Sequence, residues 1–144
     1  MPTIVVASDS KAVRHEVIAT VTDGSTTMLE ASSGPDALAL VKANEVDLCI
    51  LDLQMSNMGA MAVTLELRLE ESYGAIAHVP VLMLLDRRAD VFLARRSGAE
   101  GFVVKPIDAL RLRRATKAIL AGEHYDDDSY LPSPVLVADT TKGA

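Results

Sequence analysis

One cysteine, Cys49, is all the thiol chemistry this 144-residue chain offers. A single thiol forms no internal disulfide. Set in the apolar run 48–51, it reads as a small buried hydrophobe, and a reducing, cytoplasmic setting is the expectation. Long apolar runs are missing too: none approaches the roughly 20 residues that cross a bilayer, so no membrane partner is expected. The opening "MPTIVVASDS" lacks a basic stretch ahead of a long apolar one, so no signal peptide is read there. There is no Gly-rich phosphate loop of the Walker or dinucleotide type. His15, His78 and His124 hold no ligand spacing to one another or to Cys49. The body also lacks a dominant charge. The formal net charge is −6, and residues 122–144 carry five acids against Lys142 alone. Direct nucleic-acid binding is therefore not expected.

Apolar residues make up 49% of the chain and charged residues 24%, enough to pack one core. Short β-branched runs alternate with stretches of helical spacing. "TIVVA" (3–7), "TTMLEA" (26–31), "VDLCILD" (46–52), "VPVLMLL" (79–85) and "GFVV" (101–104) read as strands. Between and after them, 11–21, 34–44, 60–72, 89–99 and 108–122 read as helices. Pro35 suits a helix entry, Asp108 an N-cap, and Gly98 and Gly122 helix ends. The strands show no period-2 polarity, so both sheet faces are covered. This predicts a doubly wound α/β domain with a five-stranded parallel sheet over residues 1–122. Residues 123–144, acidic and containing proline, read as a mostly irregular extension with "PVLVA" able to pack, and no second domain. The run "DDDS" (126–129) reads first as solvated, with a clamp on arginine-rich segments as its alternative. Arg87, Arg88, Arg95 and Arg96 form one such segment. Arg111, Arg113, Arg114 and Lys117 form another.

Ligands of such sheets bind beyond the carboxyl ends of the strands. Asp9 follows the first strand, Asp52 ends the third, and Lys105 follows the fifth. Two carboxylates brought together need a cation, and Mg²⁺ suits an oxygen donor set. An aspartate can attack phosphorus, and neutralising phosphoryl charge is most of that chemistry.

On these residues the chain resembles the receiver domains of two-component response regulators, over about residues 3–121. "IVVASDSKAVR" is similar to the family's first strand and acidic turn. "CILDLQMSNM" is similar to its phosphoacceptor strand and loop, and "GAEGFVVKP" to its fifth strand with a Lys-Pro pair. The resemblance implies a flavodoxin-like (βα)5 fold with strand order 2-1-3-4-5. It implies Asp52 as phosphoacceptor, and Mg²⁺ held by Asp9, Asp52 and the backbone carbonyl of Gln54. It further implies Lys105 on the phosphoryl oxygens, a cis peptide before Pro106, and Phe102 as the aromatic that moves on activation. A sensor histidine kinase or phosphotransfer protein would supply the phosphoryl group. Output would go to a downstream protein, or to a second copy, through the face of helix 4, strand 5 and helix 5. No independent catalytic turnover is expected.

Four departures qualify the likeness. Ser8 stands where the family carries a second acid, Leu85 where it carries Ser or Thr, and Asp86 where it carries a small residue. Ser56 and Ala60 replace a Pro and a Gly in the loop after Asp52. Leu85 cannot donate to a phosphoryl group, and a lost bond to a charged acceptor costs about 1.5–3 kcal/mol. The expectation is phosphorylation that couples weakly to Phe102. Asp86 is a candidate third acid for the metal; repulsion of the phosphoryl group and pairing with Arg87 or Arg88 are the other readings. Two further functions remain open: a phosphorylation-independent interaction module, and the amino-terminal part of a DNA-binding regulator whose linker "LAGEHYDDDSYLP" would resemble. A phosphatase using D-x-D is disfavoured, because Gln54 replaces its second acid.

Overall fold

The computed structural model describes residues 1–128. The segment "PVLVA" lies outside the described residues. Five βα units follow in order: β1 (Thr3–Ala7), α1 (Lys11–Val21), β2 (Thr27–Ala31), α2 (Gly34–Ala43), β3 (Leu48–Asp52), α3 (Ala60–Ser72), β4 (Val81–Leu85), α4 (Val91–Ser97), β5 (Gly101–Val104) and α5 (Ala109–Leu120). A short β6 (Tyr125–Asp126) ends the described chain. All pairings are parallel, in the order β2-β1-β3-β4-β5-β6. The expected order 2-1-3-4-5 is present, with one strand added at its edge.

Alternation along each strand sorts the core into two layers. Val5, Ala7, Cys49, Leu51, Val81, Met83, Leu85, Phe102 and Val104 face α2, α3 and α4. Ile4, Val6, Leu48, Ile50, Leu82, Leu84 and Val103 face α1 and α5. The central strands are buried on both sides, hence their unbroken apolar reading. Cys49 lies fully inside, and burial pushes its thiol up to about 12 against the opposing charge of Arg68.

The boundaries shift for identifiable reasons. β4 begins at Val81, not Val79, because side chains take the backbone of Val79. Its N–H donates to Glu71 at 3.0 Å and its carbonyl accepts from Arg68 at 2.9 Å. His78 and Glu100 complete this knot of charges at the amino end of the sheet: each His78 ring nitrogen lies 2.8 Å from one of the two glutamates. The expected helix 89–99 is a 3₁₀ turn, Arg88–Asp90, leading into α4. Asp90, buried, accepts from the Arg87 backbone and guanidinium at 3.0 Å each and fixes that turn. Gly98, at φ 80°, ends α4 in the left-handed conformation that glycine adopts freely. Asp108 caps α5 by accepting from Leu110 at 2.8 Å.

At Asp127 the structure corrects the reading of "DDDS" as solvated, while Asp126 and Asp128 are exposed. Tyr125 N–H donates to Glu100 O at 3.0 Å, and β6 runs along the β5 edge. Gly101 makes room for it. A Cβ there would meet Tyr125 O at 2.7 Å and Ile119 Cδ1 at 2.9 Å. Asp126 lies 3.7 Å from Arg95, and Asp127 is 1% exposed and bonded to Arg111 at 2.8 Å. Asp127 is thus a clamp on the Arg111 segment, the alternative reading of that stretch, while Asp126 makes only a surface contact with the Arg95 segment. The β5 edge, part of the expected output face of helix 4, strand 5 and helix 5, carries β6.

Candidate phosphoacceptor site

A cleft of about 480 Å³ opens beyond the carboxyl ends of β1, β3 and β5. Asp9, Asp52, Gln54, Ser56, Asp86 and Lys105 line it. The topology does the assembling: β3 lies between β1 and β4, so the residues that follow β1 and β3 are neighbours in space.

Asp52 is 4% exposed, and both of its oxygens are engaged. Lys105 Nζ donates to Oδ1 at 2.8 Å, and the hydroxyl of Ser8 donates to Oδ2 at 2.8 Å. These two donors answer the desolvation cost of a buried carboxylate. Ser8 is itself fully buried. Its N–H donates to Ala31 O at 3.1 Å, and its Oγ accepts from Ser10 N–H at 3.0 Å. Along the chain Ser8 shows only as a missing acid; its role as a donor to Asp52 follows from the register of β1 against β3. Asp9, exposed to the cleft, accepts from Ser56 Oγ at 3.1 Å.

Lys105 is held from two sides. Its N–H donates to Leu85 O at 2.8 Å, and its ammonium also reaches Asp86 Oδ1 at 3.0 Å. Partial burial pulls the ammonium down. The hydrogen bonds and charges of Asp52 and Asp86 outweigh this, and its pKa lies above the usual lysine value. Of the readings left open for Asp86, pairing with Arg87 or Arg88 gives way to pairing with Lys105, while Arg87 pairs with Asp90.

The donors at the cleft are oxygens: the carboxylates of Asp9, Asp52 and Asp86, the last paired with Lys105, with Gln54 alongside. No group of three His, Cys, Asp or Glu side chains among the described residues forms a metal cage. An oxygen donor set suits Mg²⁺, which binds through carboxylates and keeps several waters, better than Zn²⁺.

Leu85 is completely buried in the layer that holds Phe102, Val91 and Ala94, and it does not line the cleft. Phe102 is buried as well, with the Arg95 guanidinium 5.8 Å from its ring centre. The Lys105–Pro106 peptide is cis.

The sequence matches the family described as response regulator receiver domain over residues 4–117. It is 26% identical over 122 residues to the protein PilH of Pseudomonas aeruginosa, covering 85% of this chain and 100% of that one. It is 28% identical over 132 residues to the transcriptional regulatory protein AfsQ1 of Streptomyces coelicolor, covering 90% of this chain and 56% of that one. The chain therefore spans all of PilH and about half of AfsQ1. The solved structure of the chemotaxis protein CheY4 of Vibrio cholerae superimposes with a TM-score of 0.71 at 25% identity, covering 81% of this chain and 97% of that one.

Proposed function

Because the chain belongs to the response regulator receiver domain family, and so is a phosphoacceptor of two-component signalling, we propose that Asp52 is the residue that takes the phosphoryl group. The observation that carries this is the buried Asp52 carboxylate, held by Lys105 and Ser8 at the floor of the cleft. As the phosphoryl group enters, Lys105 Nζ shifts its bond from Asp52 Oδ1 to a phosphoryl oxygen. Oδ1 is then free to attack, while Ser8 keeps Oδ2 in place. A P–O bond forms to Oδ1, and the bond to the donor's leaving group breaks with its electron pair. Asp86 shares Lys105 and so reduces the positive charge left for the phosphoryl oxygens. Asp9, Asp52 and the Gln54 carbonyl would hold Mg²⁺, which when bound neutralises phosphoryl charge.

The donor is a sensor histidine kinase or a phosphotransfer protein, and the domain has no independent turnover. Output is by protein–protein contact on the face built from α4, α5 and the β6 edge. There Phe92, Leu93 and Leu110 stand exposed.

Acetyl phosphate with Mg²⁺ tests the assignment. Intact mass should show one phosphoryl group on the native protein and none on Asp52→Asn. No uptake by the native protein, or equal uptake by the variant, overturns it; the first result favours a phosphorylation-independent interaction module.

A further inference from the structure

β6 runs beside β5 for only two residues, and at Val104 its backbone no longer serves the ladder. A side chain takes over: Asp127 Oδ2 accepts from Val104 N–H at 2.9 Å. The same oxygen accepts from Arg111 Nη1 at 2.8 Å. Arg111 in turn reaches Val104 O at 3.4 Å and Pro106 O at 3.3 Å. Asp127 and Arg111 therefore bracket Lys105, with one peptide held before it and one after it. From the opposite side, Lys105 N–H is fixed on Leu85 O at 2.8 Å. The backbone of Lys105 is pinned between β4 and the chain beyond α5.

From this bracket we propose that Asp127 is a positioning residue for phosphoryl transfer. It acts through Arg111 and Val104 to hold the Lys105 ammonium against Asp52. The proposal rests on the assignment of Asp52 and Lys105 above. Asp127 does not line the cleft, and its effect on Lys105 passes through Arg111 and the backbone of 104–106. Its burial makes the device strict. Without the carboxylate, Val104 N–H and one Arg111 nitrogen each lose a partner inside the fold, which loosens the hold on the 104–106 segment. A displacement of about 1 Å at a group that positions a reaction can cost on the order of a hundredfold in rate.

The test uses the full chain carrying Asp127→Ala or Asp127→Asn, with Asp126→Ala as control. Asp126 is exposed, and its 3.7 Å approach to Arg95 is a surface contact. Two readouts are taken. The first is the titration midpoint of the Lys105 ammonium, followed by carbon-13 lysine resonances. The second is the initial rate of phosphorylation by acetyl phosphate with Mg²⁺. Asp127→Ala should lower the Lys105 midpoint toward that of an ordinary lysine and slow phosphorylation between about tenfold and a hundredfold. Asp127→Asn keeps an oxygen for Val104 N–H and should recover part of both, and Asp126→Ala should leave both unchanged. Should the alanine variant fail to fold, the asparagine variant decides, with smaller changes in the same direction. A Lys105 midpoint and rate that stay native in a folded Asp127 variant overturn the proposal. If the native protein takes up no phosphoryl group, the functional assignment fails, and the Lys105 midpoint still judges the bracket.

Discussion

Leu85→Thr restores a hydroxyl at the end of β4, and its consequences can be worked from the packing. Leu85 is wholly buried beside Phe102 and Val91. Threonine removes two carbons, each worth about 0.8 kcal/mol of burial. It also brings a hydroxyl into that apolar layer beneath the cleft, at about 1–3 kcal/mol. A loss near 3–4 kcal/mol follows for the resting protein, a large share of the 5–15 kcal/mol typical of a domain. Beryllofluoride with Mg²⁺, standing for the phosphoryl group on Asp52, offers that hydroxyl a charged acceptor. The bond returns about 1.5–3 kcal/mol, or about tenfold to a hundredfold in a two-state population. Urea denaturation of both proteins, with and without beryllofluoride, measures it. The ligand should stabilise Leu85→Thr more than the native protein by that margin, and amide shifts should extend from Asp52 to α4 only in the variant. Equal stabilisation of the two proteins, or native shifts that already reach Phe102, would refute the reasoning.

Ser8→Asp places a second carboxylate where Ser8 Oγ now sits, 2.8 Å from Asp52 Oδ2. With EDTA the variant should melt below the native protein, and Mg²⁺ should reverse the order, with an affinity at least about tenfold higher; an unchanged Mg²⁺ affinity counts against the cleft as the metal site. Lys105 has its folded pKa above 10.5, so what it adds to stability is whole below about pH 10.5 and is lost as pH rises through the folded value. Asp86→Asn should bring that alkaline loss to lower pH in denaturation series between about pH 8 and 12, by under about 1 kcal/mol given the solvent around the pair. Cys49, its thiol raised to about 12 by burial, should resist a disulfide reagent at pH 8 in the folded protein and react fully in guanidinium; a fast native reaction would contradict the packing of β3.

The five-strand architecture was legible because β1, β3, β4 and β5 are buried on both faces and therefore spell continuous apolar runs. That pattern alone placed Asp52 and Lys105 at strand ends, and the resulting topology brings them to 2.8 Å. Besides the donor role of Ser8, three features were not legible. The start of β4 depends on Arg68 and Glu71 reaching the backbone of Val79, an arrangement formed only when α3 packs beside the strand. The partner of Asp86 is chosen between nearby cations by distance, which no spacing along the chain encodes. β6 has two residues and no alternating apolar pattern; it forms because Gly101, Arg111 and an open strand edge await it.

The absence of a side chain at position 101 governs the edge of the sheet. Any Cβ at the start of β5 would strike the carbonyl of Tyr125 at 2.7 Å, so a sixth strand in this register is compatible with glycine and little else. In this chain, one missing methyl at the start of β5 decides whether the margin is sealed. Substituting alanine here offers a minimal genetic lever for detaching the acidic clamp while leaving its own charges intact.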